Sequence, residues 1–229
     1  MVSTRAHKSE FPPPDATPSK ALTRSPRSRS KWQHVPSPIA LLWLLVSLPL
    51  VIWDTGYVLL RPHSMPGGWA HAPIWKPYEL YGKVDYMYGW KAYNERNGFT
   101  AAQGALNMVE TVGYLGYLWV VWDYGEGEKR AVGGGWGGVA CLVGFALCVM
   151  TVSKTVLYWL NEYYSGFENI GHNDPMSLIF LWLIPNGAWL VLPSYMGYLL
   201  ARDILHGLAI ASGDASSKPA RAAEPIKDE

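Results

Sequence analysis

The sequence predicts an all-α membrane protein: a bundle of four transmembrane helices between disordered termini. Three observations carry this. Four apolar runs are each long enough to cross a bilayer, which takes about 20 residues. Polar tails flank them, so a mean hydropathy near zero averages two unlike compositions. Aromatic residues are abundant, with 12 Trp and 14 Tyr in 229 residues, and they crowd several run ends as an interfacial belt does.

Taken in order, residues 1–37 form a Ser-, Pro-, Arg- and Lys-rich leader ("FPPPDATPSKALTRSPRSRSKWQ"). It lacks the apolar content to pack a core, so a disordered basic tail is expected. It is too long and polar for a signal peptide. The membrane domain is expected over 38–205. Its spans are read at about 38–60, 99–122, 132–161 and 176–201. Residues 206–229 read as a second disordered tail.

Lysine and arginine give an orientation. They are frequent before the first span and absent from the 162–175 loop, so both termini are expected in the cytosol. The four in the 62–98 loop argue the other way, more weakly. A net charge of +1 gives no electrostatic footprint for nucleic acid. Cys141 and Cys148 lie seven residues apart on one expected helix, a rise of roughly 10 Å, beyond disulfide reach. They form no metal motif, and His63 and His71 have no ligand spacing. "VGGGWGG" follows no strand, so it is not read as a phosphate loop. No metal and no cofactor is expected.

Ionisable groups inside a membrane are costly and usually face a cavity or a partner. Asp54, Glu110 and Lys154 lie within the expected spans, roughly 9, 16 and 10 Å from the same membrane face at 1.5 Å per residue. Gln103, Asn107, Glu110, Tyr114 and Tyr117 are spaced 4, 3, 4 and 3 apart, one helix face. Thr151, Lys154, Tyr158 and Glu162 repeat that pattern. Asn186 and Trp189 follow Pro185, which frees a backbone carbonyl. The same residues would equally serve as a neutralised structural network without chemistry. Lys154 is expected to bond Glu110 or Asp54, or else to snorkel to the interface.

The segments "VLYWLNEYYSGFENIGHNDP" and "IFLWLIPNGAWLVLPSYM" resemble the last half of the emopamil-binding protein family, whose shared region is the EXPERA domain. "YGKVDYMY" resembles its Lys-x-Asp-x-x-Tyr segment, and "NMVETVGYLGYLWVV" its Met-Glu-Thr helix. The resemblance covers about residues 40–205 and is closest to divergent fungal members. It implies an endoplasmic reticulum location. It further implies an acid–base isomerase or cyclase acting on a sterol-like or isoprenoid alkene, like the sterol delta-8 to delta-7 isomerases. The alternative it implies is a non-catalytic lipid-binding or trafficking module, like the receptor members.

By the resemblance, Glu110 matches the essential glutamate and Asp54 the acid of the first helix. Asn186 and Trp189 match the Asn and Trp of the last helix, and Asp85 and Tyr88 the polar pair before the second. Proton transfer through a cationic intermediate needs carboxylates and sheltering aromatic faces. Trp189, Tyr114 and Tyr158 are the faces available, with Asn107 on the polar stripe and Lys154 as a third proton-handling group. The chain departs from the isomerases at Leu50 (a histidine there), at Gly113 (a threonine), in Lys154 itself, and in the extra segment "KAYNERNGFTAAQ". His172 matches a loop histidine of the family, a position more often structural or solvated. Expected partners are an apolar small molecule and the lipid bilayer, with homodimerisation left open.

Overall fold

The computed structural model describes residues 32–213, and they are mostly helical. Strand β1 (Gln33–His34) precedes α1 (Pro38–Leu59); two short helices, α2 (Tyr78–Val84) and α3 (Trp90–Asn94), lead to α4 (Phe99–Tyr124). Strand β2 (Val132–Gly133) runs directly into α5 (Gly134–Tyr164). The last element, Pro175–Ala211, is 37 residues long. It comprises α6 (Pro175–Ser177), a π-wound turn (Leu178–Leu183) and α7 (Ile184–Ala211).

Local chemistry sets these boundaries. Pro38 and Pro175 occupy first-turn positions, where a missing N–H costs nothing. Asp174 caps the last rod by accepting from the N–H groups of Met176 (3.0 Å) and Ser177 (3.1 Å). Next to the π-wound turn, the Asn186 amide donates to the Trp182 carbonyl at 2.8 Å. That side chain satisfies a carbonyl where the helical repeat shifts and Pro185 supplies no N–H.

Helix α5 packs along both α4 and α7, and α1 packs along α4. Three helices, Pro38–Leu59, Gly134–Tyr164 and Pro175–Ala211, are long and apolar enough to cross a membrane, where the sequence suggests four. The other run, α4, has 26 residues, but Gln103, Asn107 and Glu110 dilute its apolar character. Large apolar side chains point outward along all of them, among them Leu45, Val112, Leu142 and Val191.

Two boundaries differ from expectation. Residues 32–37 are not part of a disordered tail. β1 pairs antiparallel with β2, Gln33 opposite Gly133 and His34 opposite Val132. The Trp32 indole donates to the Asp203 carbonyl at 3.0 Å. Its ring packs where a Cβ on Gly137 or Gly207 would come within 3.1 or 3.3 Å, so both glycines make room for it. At the other end, α7 continues to Ala211, six residues into the expected 206–229 tail. "RDILHGLAIA" has no proline and is rich in helix formers. The rest of both tails lies outside the described residues.

Candidate functional site

Near the end of α1, the chain folds back over the helix. Tyr57 of α1 stacks on Tyr78 of α2, rings 3.8 Å apart and 9° from parallel. Arg61 pins the segment by donating to the carbonyls of Val58 and Met87 (both 3.2 Å) and to the Thr100 hydroxyl (2.7 Å). Under this fold-back lies a cavity of about 440 Å³, within the usual range for small-molecule sites. Its polar lining includes Asp54, Lys154, Asn107 and Asn186, and its aromatic lining Trp53, Tyr78, Tyr88, Tyr158 and Trp189.

The cavity has two polar poles. At one, the Tyr78 hydroxyl donates to Asp54 Oδ1 at 2.6 Å, and the Tyr88 hydroxyl reaches Oδ2 only at 3.5 Å. At the other, Lys154 Nζ donates to Glu110 Oε2 at 2.9 Å and to Asn107 Oδ1. The Thr151 hydroxyl, itself bonded to Tyr114 at 3.3 Å, donates to the same Glu110 oxygen at 2.9 Å. Glu110 Oε1 has no hydrogen-bond partner among the described residues. Lys154 is held in place from its own backbone too, since Gln103 donates to its carbonyl at 3.3 Å.

Not every expected residue reaches the cavity. Glu110 stands behind its wall and touches it through Lys154, and Tyr114 lies farther back, bonded to Thr151; neither lines it. The acid that faces the space is Asp54. Trp189 lines the wall and packs edge-on against Trp43 of α1, centroids 5.0 Å apart. Asn186 lines it as well, with its amide used on the helix carbonyl.

Asp85 also lies off the cavity and organises its floor. It accepts from Tyr158, from the Trp182 indole (2.9 Å) and from the Met87 N–H (2.9 Å). Burial pushes its pKa up to about 6, against the pull of Tyr158 first and then of Met87 and Trp182. The loop histidine His172 stacks flat on Tyr86, 4.0 Å apart, and its Nε2 meets the Lys83 carbonyl at 2.7 Å. That role is structural.

The residue that sequence reasoning missed is Tyr78, the closest partner of Asp54. Tyr78, Tyr81, Asp85 and Tyr88 recur at 3, 4 and 3, the spacing of one helix face. Within that segment the resemblance picks out Asp85 and Tyr88 and passes over Tyr78. No family model matches this chain, and neither a curated protein nor a solved structure matches it.

Proposed function

We propose that the chain is a four-span membrane protein of EXPERA type that binds an apolar small molecule in this cavity and moves a proton on it. The substrate is a sterol-like or isoprenoid alkene, and the reaction is double-bond transposition or a related cyclisation. Asp54 is the group that exchanges a proton with the substrate. Lys154, its charge offset by Glu110, supplies the second polar group of the cavity, opposite it. Trp53, Tyr88 and Trp189 shelter a carbocation. The observation that carries this reading is that an acid and a lysine line one aromatic-walled cavity. Groups whose environments differ in this way are how one site separates proton donor from acceptor. The fourth span is α4, whose Gln103 and Asn107 line the cavity while Val109 and Val112 face outward. The protein resides in the endoplasmic reticulum membrane with both termini cytosolic.

The test is incubation of microsomes containing the protein with a panel of sterol and terpenoid alkenes in heavy water. Deuterium should enter one substrate class, and Asp54→Asn should lower its uptake about 100-fold or more. Exchange at the wild-type rate in Asp54→Asn would end the catalytic assignment. Glycosylation acceptors placed in the 162–175 loop should be modified and those in the tails not; modified tails would reverse the topology.

A second reading is a non-catalytic lipid-binding module. It is favoured by the position of Glu110, whose carboxylate is used by Lys154 and Thr151 and does not reach the cavity. Binding of a panel lipid without any deuterium uptake would select it.

A further inference from the structure

At the opposite end of the bundle from the cavity, three chain segments bring His34, Cys141 and Asp203 together. One ligand atom from each lies within 4.8 Å of the others. His34 is 3 % exposed and Cys141 fully buried, while the Asp203 side chain is 35 % exposed. His34 Nδ1 stands 2.7 Å from Asp203 Oδ2, and Nε2 stands 2.9 Å from the Tyr117 hydroxyl.

We infer that this cluster is a divalent transition-metal site, of zinc type, that fastens β1 to α5 and α7. One imidazole, one thiolate and one carboxylate are the mixed donor set zinc takes. Donors in a tetrahedral zinc site stand roughly 3.3–3.7 Å apart, given bonds of about 2.0–2.3 Å. The cluster therefore needs to draw in by about 1 Å at its widest and to open slightly between Nδ1 and Oδ2. The fourth position falls to water, on the side where Asp203 is exposed.

A partner for the other ring nitrogen is already in place. A metal-ligating histidine usually gives its other ring N–H to an acceptor that fixes the tautomer, and Tyr117 occupies that position. In the metal-free form, the two ring nitrogens of His34 share hydrogen bonds with Asp203 and the Tyr117 hydroxyl, their direction set by the ring tautomer. When the cation binds Nδ1, the ring proton resides on Nε2 and is donated to Tyr117. The Cys141 thiol releases one proton to solvent as its sulfur takes the metal. Backbone anchoring on both sides holds the geometry: His34 pairs with Val132 in the ladder, and Trp32 bonds the carbonyl of Asp203 itself. Cys148, the other buried thiol, is bonded by Tyr114 at 3.7 Å and is not in the cluster.

The full chain is purified in detergent without an affinity tag after growth in zinc-replete medium, and its metal content is measured. It is then stripped and titrated with cobalt. Wild type and Cys148→Ser should carry about one zinc per chain. Both should show a thiolate-to-cobalt charge-transfer band on titration. Cys141→Ser and His34→Gln should lose both signals. Should those variants fail to fold, the cobalt titration of wild type decides by itself, since the band needs a thiolate ligand and Cys148→Ser excludes the other thiol. Absence of the band in wild type, or its loss in Cys148→Ser, overturns the site.

Discussion

Lys154 and Glu110 form an ion pair, Nζ to Oε2 2.9 Å, with the two side chains 8 % and 6 % exposed. Asn107 and Thr151 complete the hydrogen bonding on either side of it. Removing one member of such a pair leaves the other charge uncompensated, which costs about 3–5 kcal/mol. Lys154→Met should therefore lower stability by about 3 kcal/mol in thermal unfolding of the detergent-solubilised protein. In a Glu110→Gln background the same change should cost at least about 1 kcal/mol less. Additive effects would show that the two groups do not interact.

Tyr78 and Tyr88 approach the same carboxylate unequally, at 2.6 and 3.5 Å. Tyr78→Phe keeps the ring stacked on Tyr57 and deletes the stronger donor. It should cost about 1 kcal/mol, the usual net value of one hydrogen bond. Tyr88→Phe should cost well under half of that. Equal losses would mean that the hydroxyl geometry does not matter.

Asp85 gives a pH dependence of definite sign. Its pKa is raised from 3.8 to about 6 in the fold, chiefly by burial. The folded state then holds a proton that the unfolded state has released. This contribution makes the protein less stable as pH rises from about 4 to about 6, by on the order of 2 kcal/mol, and level above that. Midpoints of denaturant unfolding across this range should show the slope, and Asp85→Asn should flatten it. A stability that rises steadily over the same range, unaffected by Asp85→Asn, is the contrary result.

Gly113 leaves no room for a side chain against α5. A Cβ there would lie 2.7 and 2.8 Å from the two δ carbons of Leu147 and 3.3 Å from its γ carbon. To clear all three, Leu147 must turn about χ1 and give up its present packing. Gly113→Thr should cost about 1–3 kcal/mol by overpacking, and Leu147→Ala should return part of it in the double variant. A full-strength Gly113→Thr protein with Leu147 intact would show that the α4–α5 contact yields.

Much of the bundle was legible because apolar run length fixes where long helices lie. Asp54, Lys154 and Asn186 stood out for the same reason: a polar group in an apolar run has few places to go. What periodicity does not carry is which acid reaches the cavity. Glu110 sits deeper in its run than Asp54, yet its helix turns it toward Thr151 and Lys154 of α5. Asp54 meets the cavity because a segment 24 residues later folds back on α1. The ladder at Gln33 and His34 was hidden by the composition around it, since two paired residues leave no periodic signal. The cluster of His34, Cys141 and Asp203 has no spacing to read, being drawn from three distant parts of the chain.

The fold-back over α1 makes the two oxygens of Asp54 unlike each other. Oδ1 accepts a short bond from a hydroxyl of the covering segment, and Oδ2 keeps only a long contact. A ligand that takes Oδ2 leaves the cover seated. One that competes for Oδ1 must first unstack Tyr78 from Tyr57 and loosen the roof above itself. A single carboxylate thus gives one oxygen to the cover and leaves the other freer toward the cavity.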